Sequence, residues 1–270
     1  MCVYICETKE VCRSMSSRRK KILSRSIIGM GLIVVIAVIS LLFYKWLLYR
    51  RAKFTRYPEF GISIPNEYAI HGIDVSRYQD YIAWEEVKAM KVADIQIGFA
   101  FIKATEGISN VDPQFRRNWK RAGNNDIVRG AYHFFIASKD GKMQAENFIK
   151  KVELESGDLP PVLDVEQRNG VSKAQLQKEV REWLDVVEAY YHVTPIIYTN
   201  VDFYIQNLGA AFDNYPLWVA HYYQTDQPRI NRGWIFWQHN DRGNVNGILS
   251  KVDFNVFSGD SLAFKSLLLP

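Results

Sequence analysis

Apolar positions fall along this chain in two different arrangements. From Ser26 to Tyr44 the sequence is uncharged and made mostly of Ile, Leu, Val and Gly, long enough to cross a bilayer at about 20 residues per span. Beyond residue 68 the apolar residues come in short runs instead: Ile70–Val75, Ile97–Ala104, Val128–Phe135, Pro161–Val165, Pro195–Thr199, Leu217–Ala220, Trp234–Gln238 and Val252–Phe254. Continuous apolar runs of this length bounded by turn residues read as strands buried on both faces. Helical periodicity separates them. After Ser172, whose hydroxyl can cap while Gln175 reaches back, Leu176, Val180, Trp183, Leu184, Val187 and Tyr191 form one stripe. Shorter helices are predicted at Trp84–Met90, Pro113–Ala122, Lys142–Leu154 and Phe203–Leu208.

Eight buried strands alternating with helices predict an α/β fold with a parallel sheet closed into a barrel. The last three strands are joined by stretches too short or irregular for full crossover helices. The expectation is therefore an irregular (β/α) barrel of eight strands and about five helices, helical early and mostly strand and loop late, preceded by a single transmembrane helix. The predicted organisation is a basic tail at 1–25, an anchor at 26–48, a polar juxtamembrane linker at 49–68 that includes Pro58 and Pro65, and a domain at 69–270.

The flanks of the apolar segment support an uncleaved anchor. Arg18, Arg19, Lys20, Lys21 and Arg25 precede it, and Tyr44, Trp46 and Tyr49 stand at its far end, where amphipathic rings favour the interface. A cleaved signal peptide would have an apolar core of about 7–15 residues and a small-x-small site, whereas this run continues into Leu41, Leu42 and Phe43. The tail is slightly richer in Lys and Arg than the segment that follows, which places the N-terminus in the cytoplasm and the domain on the periplasmic or extracellular side. Met15 opens the segment MSSRRKK and is a second candidate start of translation; Cys2, Cys6 and Cys12 all precede it. With no cysteine beyond residue 12, the domain has no disulfide framework. The tail spacing lacks the paired short intervals of a zinc site.

The formal charge of +5 averages two unlike regions. Residues 1–56 hold 12 of the 34 Lys and Arg but 2 of the 29 Asp and Glu, so the tail and anchor carry +10 and the remainder −5. An acidic domain argues against nucleic acid as a partner, and the basic anchor region suits an anionic membrane surface.

In a barrel of this type the chemistry sits at the C-terminal ends of the strands. Asp74 closes IHGID, Asp164 and Glu166 close PPVLDVE, and Asp253 sits in KVDFN. Residues two apart on a strand leave the same face, roughly 6–7 Å apart. Two such acids cannot both ionise freely, which leaves one protonated near neutral pH. A proton donor beside a second carboxylate is what glycosidic cleavage requires. Spacing alone leaves open that Asp164 caps a loop and Glu166 is a surface residue. Tyr132, Phe134, Tyr198, Trp218 and Tyr222 lie on or just beyond strands, where rings can stack on sugars, and Gln238 can hold hydroxyls; Trp234 and Phe236 are assigned to the core. His133, His221 and His239 form no ligand motif. Neither a metal nor a cofactor is predicted.

These segments, in order, resemble the glycoside hydrolase family 25 lysozymes, the Chalaropsis-type muramidases. The matching pieces are GIDVSRYQDYIAW at 72–84, FAFIKATEG at 99–107, GAYHFF at 130–135, PVLDVE at 161–166, PIIYTN at 195–200, LWVAHY at 217–222, WIFWQ at 234–238 and NGILSKVDFN at 246–255. The resemblance implies an irregular eight-stranded barrel that hydrolyses the β-1,4 bond between N-acetylmuramic acid and N-acetylglucosamine in peptidoglycan glycan strands. It implies Glu166 as general acid/base, Asp164 as its neighbouring carboxylate, and Asp74 and Asp253 as the rest of an acidic floor. The i, i+2 spacing favours a substrate-assisted route with Asp164 supporting the acetamido group. The polar stretch Tyr223–Pro228 departs from the pattern and bears on subsite preference. Two other readings are a wall-binding protein without catalysis and a hydrolase of another N-acetylhexosamine polymer. The DxxDxDxE arrangement of chitinases is absent, since 159–166 read LPPVLDVE.

Overall fold

The computed structural model describes residues 29–46 and 53–270, in two units that divide after Ala52. The tail at 1–25 with its cysteines and Met15, the anchor positions 26–28 and 47–48, and linker positions 49–52 lie outside the described residues. In the first unit, α1 (Gly29–Trp46) has a mean hydropathy of 2.0 over its 18 residues, long and apolar enough to cross a membrane.

The second unit begins earlier than the predicted boundary at 69. A hairpin of β1 (Phe54–Tyr57) and β2 (Ile62–Pro65) occupies most of the segment read as a linker. Its polar composition and prolines suggested a spacer, but Ile62 and Ile64 alternate with Ser63 and, with Phe60, are buried in the main core. Phe60 packs edge-on against Phe254 at 5.4 Å.

The barrel follows. Its strands are β3 (His71–Val75), β5 (Ile95–Glu106), β7 (Val128–Phe134), β8 (Val162–Asp164), β9 (Ile196–Asn200), β10 (Leu217–Ala220), β11 (Phe236–Gly243) and β12 (Val252–Phe257), with two-residue strands β4 (Lys91–Val92) and β6 (Asn110–Val111) appended to β5. Each barrel strand pairs with the next, and β12 returns to β3 while β3 also pairs β5, so eight strands close the ring. The pairs from β3 to β11 are parallel. β12 runs antiparallel to both neighbours. The connection from Gly243 to Val252 is shorter than the dozen or so residues a parallel crossover needs, so the chain turns back as a hairpin. Consequently the start of β12, not its end, lies at the mouth formed by the C-terminal ends of the other strands.

Helices α2 (Trp84–Ala89), α3 (Phe115–Asn124), α4 (Gly141–Ile149), α5 (Lys173–Tyr191) and α6 (Val201–Phe203) connect the strands, and α7 (Ser261–Leu267) ends the chain. The Ser172 hydroxyl accepts from the Gln175 amide as predicted, but the Gln175 side chain bonds Glu179 rather than reaching back. The predicted helix at Phe203–Leu208 is instead α6 running into a π turn over Tyr204–Leu208. α7, capped by Asp260, is a helix the sequence reading did not assign. Its Phe264 packs on Phe99, Phe236 and Phe257, all within the smaller of the two buried clusters.

Two motif glycines owe their place to that cluster. A Cβ on Gly72 would lie 2.4 Å from the Phe99 ring, and one on Gly130 would lie 2.6 Å from Phe101. Their absent side chains leave the room these rings fill, a packing role.

Candidate active site

One cleft of about 240 Å³ gathers all ten residues singled out from the sequence: Asp74, Asp164, Glu166, Asp253, Tyr132, Phe134, Tyr198, Trp218, Tyr222 and Gln238. Asp74 is near the end of β3 and Asp164 ends β8. Asp253 reaches the same mouth from the start of the reversed β12, directly opposite Asp74 in register. Glu166 lies two residues past the end of β8, partly exposed, while Asp164 is buried.

The buried polar groups form a chain. The Gln238 and Asn255 side-chain amides each donate to Asp74 Oδ2 at 2.7 Å. The Tyr198 and Tyr222 hydroxyls donate to Gln238 Oε1 at 2.7 and 2.6 Å. Trp218 Nε1 donates to Asn255 Oδ1 at 2.8 Å. Trp218 itself is packed on Phe101 and Tyr198, each ring centroid 4.3 Å away, and is 2% exposed, which makes it part of the cleft's floor. Tyr132, Phe134 and Tyr222 are only partly buried and offer more surface to a ligand.

Asp164 differs sharply from Asp74. Its Oδ1 is buried and receives no hydrogen bond from the protein. Burial and the neighbouring Glu166 carboxylate push Asp164 well above the usual carboxylate range, opposed by Lys103. Burial also raises Glu166, tempered by the Tyr198 hydroxyl and Lys103. Asp74 rises only to about 6, because its two amide donors offset burial. Asp253 is pushed up to about 9 by burial and by the charge of Asp74. Four acids that share a cleft cannot all ionise, and Asp253, pushed up to about 9, retains its proton at neutral pH.

Two further residues belong to the site, neither an acid nor an aromatic. Asn255 is entirely buried and lies two positions beyond Asp253, on the same inward face; that period-2 spacing was the available signal. Lys103 also lines the cleft, with Tyr78 and Gln79. Its Nζ bonds Glu106 at 2.6 Å and stands 4.6 Å from the Phe134 ring centroid.

Among the described residues a separate acid group, Asp140, Glu179 and Glu182, has ligand-compatible spacing. Asp140 caps α4 through the Met143 amide, Glu179 accepts from the Gly141 amide, and Glu182 pairs with Lys178. These contacts account for the group as a helix cap, a tie between α5 and the start of α4, and an ion pair within α5.

Comparison with known proteins agrees with this architecture. The profile of the glycosyl hydrolases family 25 matches residues 73–248. The uncharacterized protein YegX of Escherichia coli K12 is 43% identical over 254 residues, covering 91% of this chain and 93% of its own. Lysozyme M1 of Streptomyces globisporus is 34% identical over 218 residues, 73% of this chain and 71% of its own. The structure of a family 25 glycosyl hydrolase from Bacillus anthracis superposes with a TM-score of 0.70 at 32% identity, covering 78% of this chain and 98% of that one.

Proposed function

The chain belongs to the glycosyl hydrolases family 25, and from that premise we propose that it is a membrane-anchored muramidase, cleaving the β-1,4 bond between N-acetylmuramic acid and N-acetylglucosamine in peptidoglycan. The observation that carries the mechanism is the pairing of a partly exposed Glu166 with a buried Asp164 whose Oδ1 lacks a donor.

In this reading Glu166 protonates the glycosidic oxygen as the C1–O bond breaks. Asp164 accepts a hydrogen bond from the N–H of the substrate's 2-acetamido group and orients its carbonyl oxygen toward C1. That oxygen forms the new bond at C1, giving a cyclic oxazolinium ion whose positive charge Asp164 balances. Glu166, now ionised, takes a proton from water as the water attacks C1 and reopens the ring. Two inversions give net retention, the neighbouring-group variant of the two-carboxylate scheme. The Cα atoms of Asp164 and Glu166, two residues apart along the chain, are roughly 6–7 Å apart, and both side chains line the cleft that would receive the sugar. Asp74, fixed by the Gln238 and Asn255 amides, supplies negative charge facing the developing cation, and protonated Asp253 a hydrogen-bond donor.

Support for anchoring comes from α1 and its basic flank, with the N-terminus cytoplasmic and the domain on the outer side, where the wall lies. Holding the enzyme at the membrane raises its local concentration at the wall, which a domain of net negative charge does not achieve by attraction to an anionic polymer.

Digestion of purified peptidoglycan followed by borohydride reduction tests the activity. New muramic acid ends support the proposal. New glucosamine ends would make the enzyme a glucosaminidase, and no product would leave a wall-binding module.

A further inference from the structure

Asp74 and Asp164 have opposite solutions to the same problem. Two amides solvate Asp74, but Asp164 has an undonated, buried Oδ1 and an acidic neighbour two residues away. A buried carboxylate with an oxygen that has no donor ionises more readily if a positive charge lies near it. Among the residues that line the cleft, Lys103 is the one cation.

Its placement suits that task. Lys103 projects from β5 at the position paired with Tyr132 on β7, and its side chain is 13% exposed. The Glu106 carboxylate and the Phe134 ring hold the ammonium in place. A positive charge so little hydrated is weakly screened. Arg77, the other cation nearby, shares only the adjoining hollow with Lys103 and is exposed.

We propose that Lys103 sets the charge of the Asp164–Glu166 pair, keeping it at one shared proton so that one member can donate while the other is ionised. It is a positioning residue: it reaches the reaction through the two acids. This rests on the muramidase reading for its catalytic consequence, but not for the electrostatic one.

The other charged and titratable groups facing the pair do not supply this. From β3 and the turn after it come Asp74 and Tyr78; from β7, Tyr132; from β9, Tyr198; from β12, Asp253; and beyond β10, Tyr222. Each of these is an acid or a neutral phenol. Glu106 and Asp112, at the far side of Lys103, are acids too. His133 on the outer side of β7 is held neutral by burial, its pKa lowered to about 3.

Removing Lys103 raises both ionisations of the pair, so the bell-shaped pH dependence of kcat/KM moves as a whole to higher pH. Removing Glu106, whose charge raises Asp164, moves the acid limb to lower pH. The experiment compares full-length Lys103→Met, Lys103→Arg and Glu106→Gln in detergent, using pH–rate profiles on peptidoglycan and ¹³C carboxyl titration without substrate. The expected results are an upward move of about 1 pH unit for Lys103→Met, a downward move of the acid limb for Glu106→Gln, and a profile close to the parent for Lys103→Arg. Lower activity with an unmoved profile in Lys103→Met, or shifts of the same sign in Lys103→Met and Glu106→Gln, would overturn the proposal. Should Lys103→Met fail to fold, Lys103→Gln repeats the comparison, with the same upward move expected and an unmoved profile overturning the proposal. If the parent releases no muramic acid ends, the muramidase reading fails, while the carboxyl titration still reads Lys103.

Discussion

Asp253 and Asp74 stand directly opposite one another across the antiparallel pair β12 and β3. The reversal of one strand brings an acid at a strand's start to the mouth where acids at strand ends already lie. The result is a proton that the folded state holds and the unfolded chain releases. Asp253 is pushed from 3.8 up to about 9, so its contribution to stability is present in full below pH 4 and is lost as pH rises toward 9. Asparagine has no proton to lose. Melting curves for Asp253→Asn and the parent are predicted to diverge in the variant's favour between pH 4 and pH 9, by up to about 1 kcal/mol or roughly 2–4 °C for each pH unit. A difference independent of pH contradicts a protonated Asp253.

Gln238 joins Tyr198 and Tyr222 to Asp74. Replacing it with Leu strips Asp74 of one of two amide donors and leaves two hydroxyls to find new partners. Gln238→Leu is predicted to cost about 1–3 kcal/mol of stability and to lower kcat by about 10²-fold. Urea unfolding and steady-state kinetics read the two effects separately.

The tolerance of Gly72 tests the packing account. An added methyl meets the Phe99 ring at 2.4 Å, and that ring is held by Phe101, Phe236 and Phe264. Gly72→Ala is predicted to destabilise by about 1–3 kcal/mol, measured by chemical unfolding.

An uncleaved anchor makes a prediction about the whole protein. Full-length chain will sediment with membranes after an alkaline carbonate wash, and its intact mass will include residues 29–46. A released domain beginning near residue 50 would indicate a cleaved signal sequence. The same mass distinguishes a start at Met1 from one at Met15.

How far the sequence discloses this molecule depends on the element. Eight strands were legible because strands buried on both faces are continuous apolar runs, and the four acids because each interrupts such a run. The direction of β12 was not, since periodicity carries no polarity; only the short link from Gly243 to Val252 signals it. The hairpin at Phe54–Pro65 escaped because two alternating isoleucines weigh little against a basic, proline-bearing neighbourhood. Lys103 sits within the FIKATEG segment yet drew no notice, as a search for acids and rings passes over the cation that balances them.

The central claim is that Glu166 delivers the proton. Its most direct test is the rate of muropeptide release by Glu166→Gln relative to the parent, with melting temperature as the control. Glutamine preserves the shape of the site but can neither donate nor accept the proton, so the account predicts a loss of at least about 10³-fold with the melting temperature unchanged within roughly 2 °C. Release within tenfold of the parent by the folded variant would contradict it.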